Sequence, residues 1–310
     1  MTAPAEDSEG TIQSFFLYLK LSLTAVFWGG TYVAGRVIMQ QMGPFSASFL
    51  RFVVASGFLI IFVLKSHGHI LLLKRGQILP VVLLGLTGVF AFNFFLFSGL
   101  KTVTASRAAL INSINPVFIT ILSSFFFHER LYAWKIFGIF ISVTGAVFVV
   151  SHGSPWQILQ GNIGRGELFI LGSMASWASY SLIGKAAMEE SSPLVTVTYA
   201  CVIGTACLFL PAYLEGISRD FCRYSWLAWL IVLYVGFLGS AVGFIWYYEG
   251  IRAVGPSRAA VFINLVPVSA MALASVILKE SLSRSSILGA ILVISGVYLT
   301  NRAIPDLGRR

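Results

Sequence analysis

Apolar runs of about 20 residues alternate with short polar breaks along almost the whole chain. A helix rises 1.5 Å per residue and the hydrocarbon core of a bilayer is about 30 Å thick, so a run of that length can cross it as a helix. The breaks carry turn-forming or charged residues, as in the stretches QQMGP, HERL and EESSP. The pattern predicts ten transmembrane helices, over residues 17–40, 45–64, 77–99, 103–127, 132–151, 166–187, 194–214, 225–248, 255–278 and 284–302.

Composition supports this interpretation. Of 310 residues, 57% are hydrophobic and 11% are charged, and the mean hydropathy is +0.86. A soluble domain carries about 25% charged residues, so this chain has too little polar surface to cover a soluble fold. The net charge of +9 comes from basic residues scattered between the apolar runs. That spacing is typical of topology signals rather than of a nucleic-acid-binding face. We therefore predict an all-α polytopic membrane protein without a nucleic-acid partner.

The chain contains an internal repeat. The stretch SRAALINSINP, residues 106–116, recurs as SRAAVFINLVP, residues 257–267, after an offset of 151 residues. At that offset, residues 99–150 and 250–301 agree at 15 of 52 positions. A weaker match at an offset of 149 relates Trp28 to Trp177. Two matches in the same order indicate a duplicated unit.

The repeat divides the predicted spans into two groups of five. The expected units are residues 17–151 and 166–302, joined by a linker at 152–165 that contains several glycines. Because five is odd, the second unit enters the membrane from the opposite side, as in the inverted repeats of secondary transporters. With both termini cytoplasmic, 12 Lys and Arg residues fall inside, eight fall outside and Arg51 lies within a span. This excess favours cytoplasmic termini.

Short motifs carry a resemblance to a known family. They are WGG at 28–30 in the first span, SRAA opening the fourth and ninth spans, HERL at 128–131 and its echo KESL at 279–282. Together they resemble the EamA-type branch of the drug/metabolite transporter superfamily, and within it the bacterial aromatic amino acid exporters. The resemblance implies a ten-helix basket around a central cavity. It also implies export of small metabolites across the bacterial inner membrane.

Two arginines stand at the start of long apolar helices. Arg107 and Arg258 each follow a serine, Ser106 or Ser257. One interpretation is a plain helix end, with the serine as N-cap and the arginine reaching the headgroups. The other is a gating or anion contact, in which the helix N-terminus and the guanidinium hold a substrate carboxylate. We predict that Arg107→Ala and Arg258→Ala weaken substrate binding if the second interpretation holds.

Prolines and asparagines occur together within the same two spans. Pro116 and Pro267 lack an N–H and are predicted to kink their helices. Such kinks free backbone groups and can serve as hinges. Asparagines near them either bond neighbouring helices or line a wet cavity. The candidate residues of this kind are Asn112, Asn115 and Asn264.

Aromatic residues of the first and sixth spans are the remaining candidates for substrate contact. Trp28 lies too deep for an interfacial aromatic belt, and Tyr32 shares its helix face. These rings either stack on an aromatic substrate or pack tightly beside Gly29 and Gly30. The corresponding span contributes Trp177, Tyr180 and Ser181, and Asn93 interrupts the phenylalanine run of the third span.

The charged and nucleophilic residues narrow the class of function. All 12 acidic residues fall at span ends or in loops, which argues against proton coupling through a carboxylate deep in the membrane. We find no P-loop, metal motif or catalytic constellation, so no cofactor is expected. The leading hypothesis is a secondary exporter of small amphipathic metabolites, specifically aromatic amino acids, for which a monomer is sufficient. Alternatives are an exporter of other amino acids, nucleosides or drug-like metabolites, an intramembrane enzyme, or a channel.

Overall fold

The computed structural model describes residues 5–69, 72–127, 132–150, 153–154, 164–188, 191–254, 259, 262–263 and 265–301. Within these ranges the regular structure is helical, without a β-strand. Each predicted span overlaps a helix. The helices are α1 Ala5–Ile38, α2 Pro44–His67, α3 Arg75–Leu100, α4a Ala105–Asn112, α4b Asn115–Phe127, α5 Ala133–Val150, α6 Arg165–Ala187, α7 Pro193–Glu215, α8 Trp226–Val254, α9 Leu265–Ile277 and α10 Arg284–Asn301.

Five helical stretches of the described chain are long and apolar enough to cross a membrane by themselves. They are Pro44–His67, Arg75–Leu100, Ala105–Leu122, Pro193–Glu215 and Trp226–Val254. Shorter apolar helices form within α5, α9 and α10. The prediction of an all-α polytopic membrane protein is confirmed. The first helix begins at Ala5, well before the predicted start of the span at residue 17.

Helix starts follow the usual capping chemistry, with one correction to the sequence analysis. Ser192 and Ser225 cap α7 and α8, because each side chain accepts a hydrogen bond from a backbone N–H of the first turn. In α4a, however, Thr104 is the N-cap and accepts from the N–H of Arg107. Ser106 lies inside the helix, so its predicted capping role is wrong. A threonine two residues earlier offers the same oxygen in the extended backbone that a cap requires.

The fourth span is interrupted where Pro116 predicted a kink. Helix α4a ends at Asn112, Ser113 and Ile114 form a turn, and α4b begins at Asn115. Proline has no N–H to donate to the carbonyl group four residues earlier, which here belongs to Asn112, so the hydrogen-bond ladder breaks where α4a ends. The Pro116 side chain lies outside the described residues.

Two π-helical segments, which the sequence analysis did not predict, interrupt α3 and α8. They cover Gly85–Ala91 and Phe237–Val242. Gly88 and Gly239, one in each segment, are 151 residues apart, which is the offset of the sequence repeat. A π-turn leaves carbonyl groups free for other donors, and such turns are common at functional sites. The repeat therefore extends from sequence to an unusual backbone feature.

Helices α5 and α10 cross through glycines related by the same offset. A Cβ on Gly145 would lie 2.9 Å from the carbonyl oxygen of Gly289, and one on Gly296 would lie 2.5 Å from that of Gly138. Adding 151 to the number of each glycine in α5 gives one of those in α10, so the repeat exchanges the two contacts. Small residues let membrane helices approach backbone to backbone. The crossing thus has the symmetry of a pseudo-two-fold axis.

A glycine of the WGG motif brings α1 against α9. A Cβ on Gly29 would lie 2.6 Å from Ser269 Cβ and 2.8 Å from the backbone nitrogen of Ala270. We expect Gly29→Ala to lower the free energy of unfolding by about 1–3 kcal/mol, because backbone atoms cannot yield cheaply to the added methyl group. Thermal unfolding in detergent would measure the effect.

The matched control is Gly57→Ala in α2. A Cβ there meets nothing within 4 Å. Alanine is the better helix former by about 0.5–1 kcal/mol, so this variant should equal or exceed the parent in stability. Equal melting temperatures for the two variants would contradict the close α1–α9 contact.

Candidate functional site

Helices α4a and α4b together are called α4, and the turn between them is called the α4 break. A cavity lies between the two halves of the chain, close to the α4 break and the π segment of α8. Its walls come from α1, α2, α3, α4, α6, α8 and α9. Its volume is about 40 Å³, enough for ordered water but far below the several hundred Å³ of a typical ligand pocket. The lining residues are Trp28, Thr31, Tyr32, Arg51, Phe92, Leu96, Ala109, Asn112, Ser113, Asn115, Trp177, Phe244, Ile263, Val266 and Pro267. A metabolite would enter only after these walls separate.

Aromatic rings from both halves line the cavity. The ring centroids of Trp28 and Trp177 are 5.1 Å apart and nearly perpendicular. Phe92 lies 5.0 Å and Phe244 5.5 Å from Trp177. Edge-to-face pairs at these distances are favourable beyond the apolar area that they bury. The side chains therefore form a rigid aromatic wall that spans the boundary between the repeats.

The π segment of α8 fixes Trp28 in this wall. The indole Nε1–H of Trp28 donates to the carbonyl oxygen of Gly239 at 2.9 Å. A Cβ on Gly239 would lie 2.8 Å from Thr31 Oγ1 of α1. A Cβ on Gly243 would in turn lie 2.8 Å from Trp28 Nε1. The two glycines therefore let α1 approach α8 closely.

Amide and hydroxyl groups also line the cavity. Asn112 Nδ2 donates to Ser173 Oγ at 3.2 Å, and Asn115 Nδ2 donates to Asn112 Oδ1 at 3.4 Å. Both asparagines are buried at the α4 break and line the cavity. Asn115 Oδ1 has no hydrogen-bond partner in the described structure. A buried acceptor left without a donor is costly, so a ligand that donates there would be bound favourably.

Arg51 of α2 brings a positive charge to the cavity. It is 2% exposed and lines the wall beside the aromatic rings. Its Nε donates to Ser240 Oγ at 2.6 Å and its Nη1 to Asn93 Oδ1 at 2.7 Å. Asn93 is itself oriented by donating to the carbonyl oxygens of Gly88 and Val89 at the π segment of α3. The guanidinium is therefore held by groups from both halves.

The N-terminal end of α4a is buried in contacts with neighbouring helices, and we call this face of the protein the Arg107 end. The Arg107 guanidinium pairs with Glu167 of α6, with Nη2 and Oε1 3.0 Å apart and both side chains largely buried. Glu280, in the KESL motif, accepts hydrogen bonds from the backbone N–H groups of Ala105 and Ser106 and from the Ser106 hydroxyl. Every residue of α4a is buried. This end joins the two halves by ionic contacts.

The opposite face, here called the Lys20 end, is held differently. Lys20 Nζ of α1 lies 2.9 Å from Glu249 Oε2 of α8, and both side chains are more than a third exposed. A gap too small to hold a water molecule shares Trp28 and Ile263 with the cavity wall, and Leu21 and Phe262 also line it. The ion pair at this end is exposed, and exposed ion pairs contribute only about 0–1 kcal/mol to stability.

The structure gathers several of the predicted site residues and separates others. Those that line the cavity are Trp28, Tyr32, Asn112, Asn115, Trp177 and Pro267. Asn93 lies behind Arg51. Tyr180 packs against Trp177 at 5.2 Å, and the hydroxyl of Ser181 donates to the Trp177 carbonyl oxygen. Arg107 lies outside the cavity wall, paired with Glu167, while Arg258 and Asn264 lie outside the described residues.

The cavity wall also contains residues that were not predicted as site residues, among them Arg51, Thr31, Phe92 and Phe244. A signal existed for Arg51, because an arginine in the middle of an apolar span is costly unless it faces a polar interior. For Phe92 and Phe244 the sequence holds no such signal. The chain has 26 phenylalanines, and periodicity does not tell an inward ring from one that faces lipid. Tertiary packing decides which of them reach the cavity.

Comparisons with known proteins agree with this architecture. A protein of known crystal structure, 21% identical, shares the fold with a TM-score of 0.66 over 94% of this chain and 97% of its own. The uncharacterized transporter YyaM of Bacillus subtilis is 28% identical, covering 93% of this chain and 94% of its own. A probable terminal-alkyne amino-acid exporter of Streptantibioticus cattleyicolor is 31% identical, covering 94% of both chains.

A family model, described as the EamA-like transporter family, matches the sequence twice. The matched residues are 16–151 and 164–302. The two matches account for nearly all of the helical bundle, including every described residue that lines the cavity. The chain belongs to the EamA-like transporter family and is a multi-pass membrane transporter rather than an enzyme.

Proposed function

We propose that this transporter exports small amphipathic metabolites, specifically aromatic amino acids, across the bacterial inner membrane. The aromatic wall is the observation that carries the proposal. It places the faces and edges of Trp28, Trp177, Phe92 and Phe244 around one cavity. A planar aromatic side chain can stack there at the distances at which the rings already pack with one another.

The mixed chemistry of the cavity supports an amino acid as the substrate class. Asn112 and Asn115 offer amide groups to the same cavity as the rings, and Arg51 adds a cation. A ligand with an apolar ring at one end and polar groups at the other matches both kinds of lining residue. The amino-acid export named for the Streptantibioticus relative supports the same class, although that name specifies no aromatic ring.

Transport in this proposal proceeds by alternating access of two half-transporters, residues 17–151 and 166–302, joined at 152–165. The α4 break at Ser113–Ile114 serves as the hinge, and the Arg107–Glu167 pair serves as the gate at one face. Both termini lie in the cytoplasm, so the Lys20 end is the cytoplasmic face. No described carboxylate lines the cavity, which favours facilitated diffusion or a coupling that needs no acid there.

Uptake into proteoliposomes of the purified protein tests this function. We expect saturable uptake of labelled phenylalanine and tryptophan, each inhibiting the other, and little uptake of threonine. Empty liposomes give the background. Threonine uptake equal to that of the aromatics would contradict aromatic specificity, and no saturable uptake of any of the three would contradict amino-acid transport.

A further inference from the structure

The charge on Arg51 has no counter-charge among the described side chains. Its hydrogen-bond acceptors are Ser240 Oγ, Asn93 Oδ1 and, at 3.5 Å, the carbonyl oxygen of Gly239, all of them neutral. An arginine stays protonated in any protein environment, and a buried charge without a counter-ion is unfavourable. The cavity therefore carries an uncompensated positive charge when it holds no anion.

The described carboxylates are all engaged elsewhere. Glu167 pairs with Arg107, Glu249 with Lys20 and Asp220 with Arg223. Glu215 accepts from backbone N–H groups in the first turn of α2, and Glu280 does the same for α4a. None of these lines the cavity. The missing anion is thus best supplied by the transported molecule.

Arg51 is oriented for such an anion before it arrives. A guanidinium has five N–H donors in a fixed plane, and the structure shows three of them engaged. The Ser240 and Asn93 contacts hold that plane from both repeats. One N–H group on each terminal nitrogen remains, and a carboxylate is the ligand for which the planar fork of arginine is suited.

The same cavity offers an acceptor for a positive group. Asn115 is 4% exposed, and its Oδ1 has no hydrogen-bond partner in the described structure. Its Nδ2 donates to Asn112 Oδ1, which fixes the amide so that the carbonyl end stays free. An ammonium group has three donors and no acceptor, so it matches this oxygen.

We propose that the cavity recognises the zwitterion of an α-amino acid, with the carboxylate bound by Arg51 and the ammonium group by Asn115 Oδ1. The side chain of the substrate then lies along the wall formed by Trp28 and Trp177. This inference rests on the proposed function and deepens it, because it assigns the backbone of the substrate to named residues. The transporter should then reject aromatic molecules that lack the carboxylate or the ammonium group.

A ligand series tests the carboxylate contact. Inhibition of labelled phenylalanine uptake is measured for L-phenylalanine, L-phenylalaninamide and 3-phenylpropionate. All three have the aromatic ring, but the amide lacks the carboxylate and 3-phenylpropionate lacks the ammonium group. In the parent protein we expect phenylalanine to inhibit on the order of 30-fold more strongly than the amide, as for a charge-assisted hydrogen bond. Equal inhibition by the two would overturn the proposal, while saturable uptake of phenylalanine would leave the proposed function standing.

Variants assign the effect to particular residues. In Arg51→Gln the preference for phenylalanine over its amide should fall to about 1, with Arg51→Lys in between, because lysine keeps the charge and loses the fork. In Asn115→Leu the preference for phenylalanine over 3-phenylpropionate should fall instead. Arg36→Gln is the control, since Arg36 donates to the carbonyl oxygens of Leu100 and Lys101 away from the cavity.

The outcome is read as a ratio between ligands, so a general loss of active protein does not imitate it. A preference that persists in Arg51→Gln would overturn the assignment of the carboxylate. A preference lost equally in Arg36→Gln would do the same. If Arg51→Gln cannot be purified, Arg51→Lys supplies the test, and a preference for phenylalanine over its amide equal to that of the parent would overturn the assignment.

Discussion

Replacing Trp177 with alanine is expected to lower the affinity for phenylalanine and tryptophan by about 30-fold, which corresponds to about 2 kcal/mol for a desolvated aromatic contact. Trp177 is buried and lies between Trp28 and Phe92, with ring centroids 5.1 Å and 5.0 Å away. Its loss removes a face on which a substrate ring can stack. Competition against labelled phenylalanine uptake would measure the change.

Two further variants show whether the loss of affinity comes from the aromatic ring of Trp177. Trp177→Leu keeps an apolar side chain and removes the ring, so a similar loss would assign the effect to stacking rather than to a void. Trp226→Ala is the matched control, because Trp226 begins α8 and is 74% exposed. An affinity for phenylalanine that is unchanged in Trp177→Ala would contradict the role of the aromatic wall.

Removing one member of the Arg107–Glu167 pair is expected to destabilise the protein by about 3–5 kcal/mol, because the partner is left as a buried charge. The pair has a separation of 3.0 Å and both side chains are largely buried. Removing both, as in Arg107→Ala with Glu167→Ala, should cost clearly less than the sum of the single changes. Thermal unfolding of the four proteins measures the coupling.

For the same variants, the rate at which a buried cysteine reacts with a thiol reagent measures how often the Arg107 end opens. A cysteine at Ala109, a buried cavity residue of α4a, should react faster with a thiol reagent in Arg107→Ala than in the parent. The exposed Cys222 would first be replaced by serine. Glu249→Gln at the Lys20 end is the contrast, since exposed ion pairs contribute about 0–1 kcal/mol. Additive losses and unchanged labelling would contradict a gate at Arg107.

The positions of the helices could be predicted because the bilayer fixes the length of an apolar helix. The predicted span 45–64 lies within Pro44–His67, and the span 194–214 lies within Pro193–Glu215. The α4 break followed from Pro116, because a missing N–H has a local effect on the backbone. Helix starts were less certain, as the cap at Thr104 rather than Ser106 shows, since several hydroxyl residues offer the same chemistry.

Part of the site could also be predicted from the sequence. Five residues were selected because they are aromatic or polar deep within apolar spans, and all of them line the cavity: Trp28, Tyr32, Asn112, Asn115 and Trp177. The contacts at the start of α4a could not be predicted. Glu167, which pairs with Arg107, and Glu280, which accepts from Ser106, are distant from α4a in sequence, and each was interpreted as an ordinary residue at the end of a span.

The sequence by itself determined that the chain crosses a membrane as helices and that its two halves repeat, because hydropathy and the 151-residue offset are properties of residue order. Only the tertiary structure decided which side chains share a cavity. The π segments of α3 and α8 show why. Asn93 uses the free carbonyl groups of α3 within its own helix. In the α8 segment, however, Trp28 of α1 donates to the carbonyl group of Gly239 and Ser240 holds Arg51 of α2, so these contacts exist only after the halves have packed together.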